Sequence, residues 1–154
     1  RKVVTLMSSD TSVGIAKSMG LGLIGFAEAL SELEPDMLVV LGDRFEIFSA
    51  VAASMVARIP VAHLYGGEKT EGVIDEPIRH SITKMSHIHF VSTKKYRDRV
   101  IQLGEKPNSV HLVGALGIEG IKNNHYLSKN ELKKKLEISN MICGAGNSPK
   151  TQLF

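Results

Sequence analysis

Four short apolar runs, 37–41, 61–65, 88–91 and 110–113, recur along the chain, and a segment of helical length separates each from the next. None of the runs alternates apolar with polar residues. A strand buried on both faces reads in this continuous way, and such strands belong to parallel sheets. Parallel neighbours need a crossover of a dozen or more residues, which these intervals supply. The chain is therefore expected to form an α/β layered fold built of βαβ units. At 154 residues it has the size of one domain, with a core of its own.

The intervening segments carry helix signals. Ile15, Met19, Leu23, Phe26, Leu30 and Leu33 step by three or four, opened by Asp10, Thr11 and Ser12 as cap candidates and closed before Pro35. The glycines at 14, 20, 22 and 25 weaken this helix in isolation but permit close packing. An alanine-rich segment, 45–58, forms the next helix, and Pro77 at a first helical position opens another over 77–85. Residues 93–103 form a fourth, stopped by Gly104. Ser128 and Glu131 make a capping box for a polar helix running to about 136. The expected division is a domain over 1–127, then this polar helix with a loose, glycine-containing tail over 128–154.

Several function classes are excluded on these observations. The net charge of +3 arises from 19 basic and 16 acidic residues, and the excess is local, around 94–99 and 129–135. Both groups read as solvated helix faces, and aromatic residues make up 5% of the chain, so no nucleic-acid partner is expected. Apolar stretches of about six residues fall short of the roughly 20 a membrane helix needs. No leader pattern opens the chain, and the single cysteine, Cys143, cannot form an internal disulfide; both point to the cytoplasm. Gly20-Leu21-Gly22-Leu23-Ile24-Gly25 spells the dinucleotide pattern, but it follows no strand and lies inside a helix, where no phosphate turn can form. His87 and His89 share one strand face without thiols nearby, so no metal site is expected. Neither Ser81 nor Ser92 sits in a nucleophile elbow.

An open parallel sheet binds ligands beyond the carboxyl ends of its strands. Those ends read Gly42-Asp43-Arg44, Tyr65-Gly66-Gly67-Glu68, Ser92-Thr93 and Gly114-Ala115. Asp43, Arg44, Glu46, His63, Glu68, Asp75, Glu76, Arg79, His80 and Lys84 all fall within 43–84. Asp43 and Glu68 are expected to project toward one crevice, with Asp75 and Glu76 at a helix start and Arg79 and His80 one turn on. Carboxylates in a cleft can act as general acid and base when their surroundings pull their pKa values apart. Arginine and histidine beside them can hold a phosphate or steady a leaving group.

Gly42-Asp43-Arg44-Phe45-Glu46, Ile59-Pro60-Val61-Ala62-His63, Gly66-Gly67-Glu68 with Thr70 and Gly72, and Asp75-Glu76 followed by Ile78-Arg79-His80, Ile82, Thr83 and Lys84 form an ordered string. Over about 8–122 it resembles the hydrolysing UDP-N-acetylglucosamine 2-epimerases, which supply amino sugars for sialic and legionaminic acid synthesis. The resemblance implies a GT-B fold, with this chain a partial, Rossmann-like N-terminal domain. It implies a UDP-sugar substrate, no cofactor or metal, and a homo-oligomer in the intact protein. The implied reaction removes the C2 proton, expels UDP to leave a glycal, and adds water. By motif, Asp43 and Asp75 are the implied catalytic groups. Arg79, His80 and His63 fall to substrate binding, and Arg44 and Glu46 shape the site.

Three departures from the family pattern stand out. Tyr65 occupies the place, two residues after His63, where many relatives carry a catalytic glutamate; Glu68 is the carboxylate at hand to replace it. The first βα unit and the second domain have no counterpart, and the tail after Ile138 reads differently from the family. A non-catalytic remnant or interaction module is therefore an alternative expectation. A non-hydrolysing epimerase is a lesser one, because Arg44 stands where that branch carries threonine.

Overall fold

A computed structural model describes residue 3 and residues 11–69, 74–118 and 127–135. Asp10 as a cap candidate, Thr70 and Gly72, Cys143 and the tail over 136–154 lie outside the described residues. The chain divides into two compact units, Arg1–Ile118 and Glu119–Phe154.

The first unit runs α1 (Ser12–Leu33), β1 (Leu38–Leu41), α2 (Phe45–Ala57), β2 (Val61–Leu64), α3 (Asp75–Met85), β3 (Ile88–Val91), α4 (Lys94–Gln102), a 3₁₀ turn (Pro107–Ser109) and β4 (Val110–Leu112). The four strands are all parallel and lie in the order β1-β2-β3-β4. Every strand thus pairs with its predecessor, and right-handed crossovers put α2, α3 and α4 on one face. Val40, His63, His89 and Val110 form a row across that face, one from each strand, and all four are buried. Val40, Val51, Val61, Ile78 and Ile82 make the main core, and Val91, Val100 and Val110 a second. On the opposite face Val39 is 62% exposed and Leu41 48%.

Two helices differ from expectation. The apolar stripe of α1 coincides only in part with its buried face: Leu30 is buried and Ile15, Met19 and Phe26 are half-buried, but Leu23 and Leu33 are exposed, and the most buried row is Gly14, Ser18, Gly22 and Ala29. Small side chains bring α1 close to α2, where Ser49, Ala50, Ala53 and Ser54 are also buried. There Ser49 Oγ donates to the Met19 carbonyl at 2.9 Å. By length and composition α1 also suffices to cross a membrane, contrary to the reading from short apolar stretches; here its small-residue face packs on a neighbouring helix. The glycines interrupt the run of letters without interrupting the helix. Second, α3 begins at Asp75 rather than Pro77. The two acids at its start favour the helix dipole, and proline is tolerated in a first turn, where its missing N–H has no partner to lose.

Thr11 caps α1 by accepting from Gly14 N at 3.1 Å. Thr93 does the same for α4, from Tyr96 N at 3.3 Å. In the second unit, α5 (Lys129–Lys135) begins with the expected capping box: Ser128 N donates to Glu131 Oε2 at 2.8 Å and Glu131 N to Ser128 Oγ at 3.3 Å.

Candidate functional site

The loops after the strands hold most of the candidate residues, and glycine makes their turns possible. Gly42 leaves β1 at φ 89° and its N–H still donates to Leu64 O, so the chain turns sharply at the strand tip and presents Asp43. Asp43 Oδ2 accepts from Arg79 Nη2, reaching from the first turns of α3. Arg79 is 7% exposed, and its Nε and Nη1 are buried without a protein partner. Arg44, beside Asp43, stays exposed and grips Glu46 through two hydrogen bonds of 3.2 Å. Its pKa is raised first by the hydrogen bond and charge of Glu46, then by the charges of Asp75 and Asp43. Asp43, Arg44, Glu46, Asp75 and Arg79 therefore form one electrostatic cluster at the tip of β1.

The loop after β2 is held differently. Tyr65 has a φ of 65°, a left-handed conformation uncommon for a bulky side chain, and its hydroxyl accepts from Leu116 N at 2.8 Å. This ties the tip of β2 to the segment after β4, over an apolar cleft of about 340 Å³ lined by Leu64, Phe90 and Val113. Gly67 follows at φ 77°, against α4, where a β-carbon would stand 2.5 Å from the Tyr96 carbonyl oxygen and 2.8 Å from Val100 Cγ2. Its own carbonyl accepts from Arg99 Nη1. Glu68, thus fixed, accepts from Ser92 Oγ at 2.8 Å, at the tip of β3. Glu68 is held beside β3, and the β1-tip cluster is assembled without it.

Two expected site residues lie elsewhere. His63 is 0% exposed, on the helix-facing row beneath the crevice. Its Nε2 lies 2.9 Å from the Gly42 carbonyl oxygen and its Nδ1 3.3 Å from Thr83 Oγ1. Burial pushes its pKa down to about 4, against the raising effect of the Gly42 bond, so the ring is neutral. Both of its nitrogens face protein groups, so the expected substrate-binding His63 lies beneath the crevice with its ring turned to Gly42 and Thr83. His80 lies 3.6 Å from Glu76 one turn away and lines a cleft between α2 and α3 with Phe48, Ser81 and Met85.

Two contributors escaped the sequence reading. Ser92 stands at a strand end in the sequence, but its pairing with Glu68 becomes visible only once β2 is set beside β3. Thr83 sits four residues after Arg79, on the same helix face, and that spacing was the available signal. His87 Nδ1 accepts from Val61 N at 3.3 Å, while buried His89 lies 3.3 Å from Glu105, which also holds Lys84. Among the described residues no three His, Cys, Asp or Glu side chains gather as a metal site.

Residues 1–149 match the UDP-N-acetylglucosamine 2-epimerase family. The chain belongs to that family. The match runs past both ends of the 8–122 stretch and past Ile138, so the likeness extends into the segment that had read as a departure. The chain is 45% identical over 138 residues to the GDP/UDP-N,N'-diacetylbacillosamine 2-epimerase (hydrolyzing) of Campylobacter jejuni, covering 90% of this chain and 36% of that one. It is 48% identical over 135 residues to the polysialic acid biosynthesis protein P7 of Escherichia coli, covering 87% and 34%. The chain thus spans about a third of the length of these relatives. Among solved structures, the UDP-GlcNAc 2-epimerase of Neisseria meningitidis bound to UDP-GlcNAc superposes with a TM-score of 0.68 at 21% identity, over 86% of this chain and 36% of that one. At that identity the likeness establishes the fold: a Rossmann-like sheet forming part of one domain of a GT-B type protein.

Proposed function

We propose that this chain is the part of a hydrolysing UDP-sugar 2-epimerase that contributes the reacting carboxylates. The observation that carries the reading is the Asp43–Arg79 pair at the carboxyl edge of the parallel sheet, with Arg44 and Asp75 in its field. The substrate class is a UDP-linked 2-acetamido sugar, in keeping with the names of the similar Campylobacter and Escherichia proteins. A carboxylate at the strand tip takes the C2 proton. The electrons of the C2–H bond form the C1–C2 double bond, and the C1–O bond to the diphosphate breaks with its pair leaving on UDP. Water then adds, its hydroxyl to C1 and a proton to C2 on the opposite face, giving the free 2-epimer and UDP. Asp43 is the base in this reading, with Asp75 and Glu68 as the further acid–base groups. Arg79 and Arg44 meet the departing diphosphate, and Glu46, which holds Arg44, completes the surroundings.

The intact enzyme is homo-oligomeric in this reading, as the family resemblance implies, and cytoplasmic, in keeping with the single cysteine. Phosphorus NMR of the purified chain with UDP-N-acetylglucosamine tests it. Release of UDP that stops in Asp43→Asn supports the reading. Absence of both UDP release and signal broadening overturns it. Tyr65, engaged by Leu116 where many relatives carry glutamate, favours a second reading, a non-catalytic module. Broadening of the substrate signals without turnover supports that one.

A further inference from the structure

His63 is wholly buried, yet its ring lies against Gly42, before Asp43, and Thr83, one turn beyond Arg79. The Gly42 carbonyl oxygen can only accept, so the ring nitrogen facing it at 2.9 Å, Nε2, carries the hydrogen. Because the ring is neutral, Nδ1 is then an acceptor. Its partner is the hydroxyl of Thr83, whose single hydrogen is shared between two acceptors: it is donated to the Arg79 carbonyl oxygen at 3.0 Å and faces Nδ1 at 3.3 Å. One side of the imidazole therefore holds the residue before Asp43, and the other is joined to the turn of α3 that carries Arg79. A closed circuit results: Asp43 to Arg79, along the helix to Thr83, across to His63, up to Gly42 and back to Asp43.

A second contact widens the role. Gly66, at the start of the loop carrying Glu68, lies directly over this pair. A β-carbon there would stand 3.2 Å from His63 Nδ1 and 3.2 Å from Thr83 Oγ1. The loop after β2 rests on the same two side chains that hold the loop after β1.

We infer that His63, with Thr83 behind it, is a positioning residue: it touches no substrate and fixes the Gly42–Asp43 turn against Arg79, giving both strand-tip loops one common seat. The inference rests on the proposed function only in taking Asp43 as the reacting group, and its test reads the unliganded chain. UDP release plays no part in that test, so failure of the enzymatic reading and failure of this one are separable.

The experiment is NMR of the labelled chain and of His63→Leu, His63→Gln, Thr83→Val and Thr83→Ser. In the parent, the nitrogen shifts of the ring report hydrogen on Nε2. In His63→Leu, exchange of the Gly42 amide quickens on the order of fivefold, the factor one neutral hydrogen bond represents, and the slowly exchanging Arg79 guanidinium signals are lost. The Val40 amide, two residues back in the same strand, exchanges as in the parent. Glutamine, whose amide nitrogen can reach the same carbonyl, restores both signals. Thr83→Val reproduces the effect and Thr83→Ser does not, so the threonine variants decide the matter should His63→Leu fail to fold. A ring with its hydrogen on Nδ1 overturns the inference. So does quickened exchange that spreads equally to Val40 and Val61, which marks a residue that merely stabilises the fold.

Discussion

Gly67 offers the sharpest test of how the Glu68 loop is held. Alanine there must adopt a left-handed backbone, which costs about 1–2 kcal/mol. Its β-carbon would lie 2.5 Å from a backbone oxygen of α4 and 2.8 Å from Val100 Cγ2. The oxygen belongs to a helix turn and cannot yield as a flexible side chain would. Relieving such overpacking costs about 1–3 kcal/mol more. Alanine also narrows the unfolded ensemble, returning about 0.4–1 kcal/mol. The net expectation for Gly67→Ala is a loss of about 2–4 kcal/mol. Urea unfolding followed by circular dichroism measures it: with a slope near 2 kcal/mol per molar, the midpoint falls by about 1–2 M at unchanged slope. Gly20→Ala is the matched control. Gly20 is mid-helix, with no atom within 4 Å of a β-carbon built there, so the same substitution stabilises by about 1 kcal/mol. A Gly67→Ala midpoint within error of the parent would refute the seating of this loop on α4, and equal shifts at both positions would refute the argument from local geometry.

Stability should also depend on pH through His63. Its folded pKa of about 4 lies below the ordinary 6.5, so folding favours the neutral ring. The contribution is complete above about pH 6.5 and is lost as pH falls through 4, amounting to about 3 kcal/mol at most. Urea titrations at pH 7 and pH 4.5 should show that loss, and His63→Gln should remove much of it; an unchanged slope would deny the burial effect. Asp43→Asn should reduce UDP release by about 10²–10⁴, the usual worth of a general base, while circular dichroism stays that of the parent. Ser92→Ala should leave the melting temperature within a few degrees and lower turnover by freeing Glu68 from its partner. Ser49→Ala removes the bond to the Met19 carbonyl and should cost about 1 kcal/mol in urea unfolding, a test of α1 packing on α2.

The order of elements was legible because buried parallel strands advertise themselves as short unbroken apolar runs. The strand edges came within a residue: Met37, Tyr65 and Val113 belong to the apolar runs but fall outside the strands. Tyr65 falls outside because its left-handed backbone breaks the strand while its N–H still donates to Phe90 O. The buried face of α1 was legible only in part, through Leu30 and its half-buried neighbours; the row of small residues beside it was missed, since close helix packing is decided by what is missing from a side chain, and periodicity counts what is present. In the site, Asp43, Arg79 and Asp75 could be grouped from strand ends and helix starts. His63 could not be separated from them, because a histidine one residue from a strand's end reads alike whether it faces the crevice or the helices. Only the register, setting it beside Val40 and His89, decides that.

The strand order has a consequence for how such a chain is made. Because β1, β2, β3 and β4 lie side by side in the order of synthesis, none of these four described strands waits for a later one to be inserted between itself and its neighbour. Every loop closed in pairing spans a single helix, which keeps the entropy of closure small. Each strand emerging from the ribosome meets a finished edge, and the sheet can grow in one direction as the chain appears. The Asp43 turn is translated early in this sequence, but its partner Arg79 arrives 36 residues later. The nascent sheet thus exists before the Asp43–Arg79 pair at its edge is assembled.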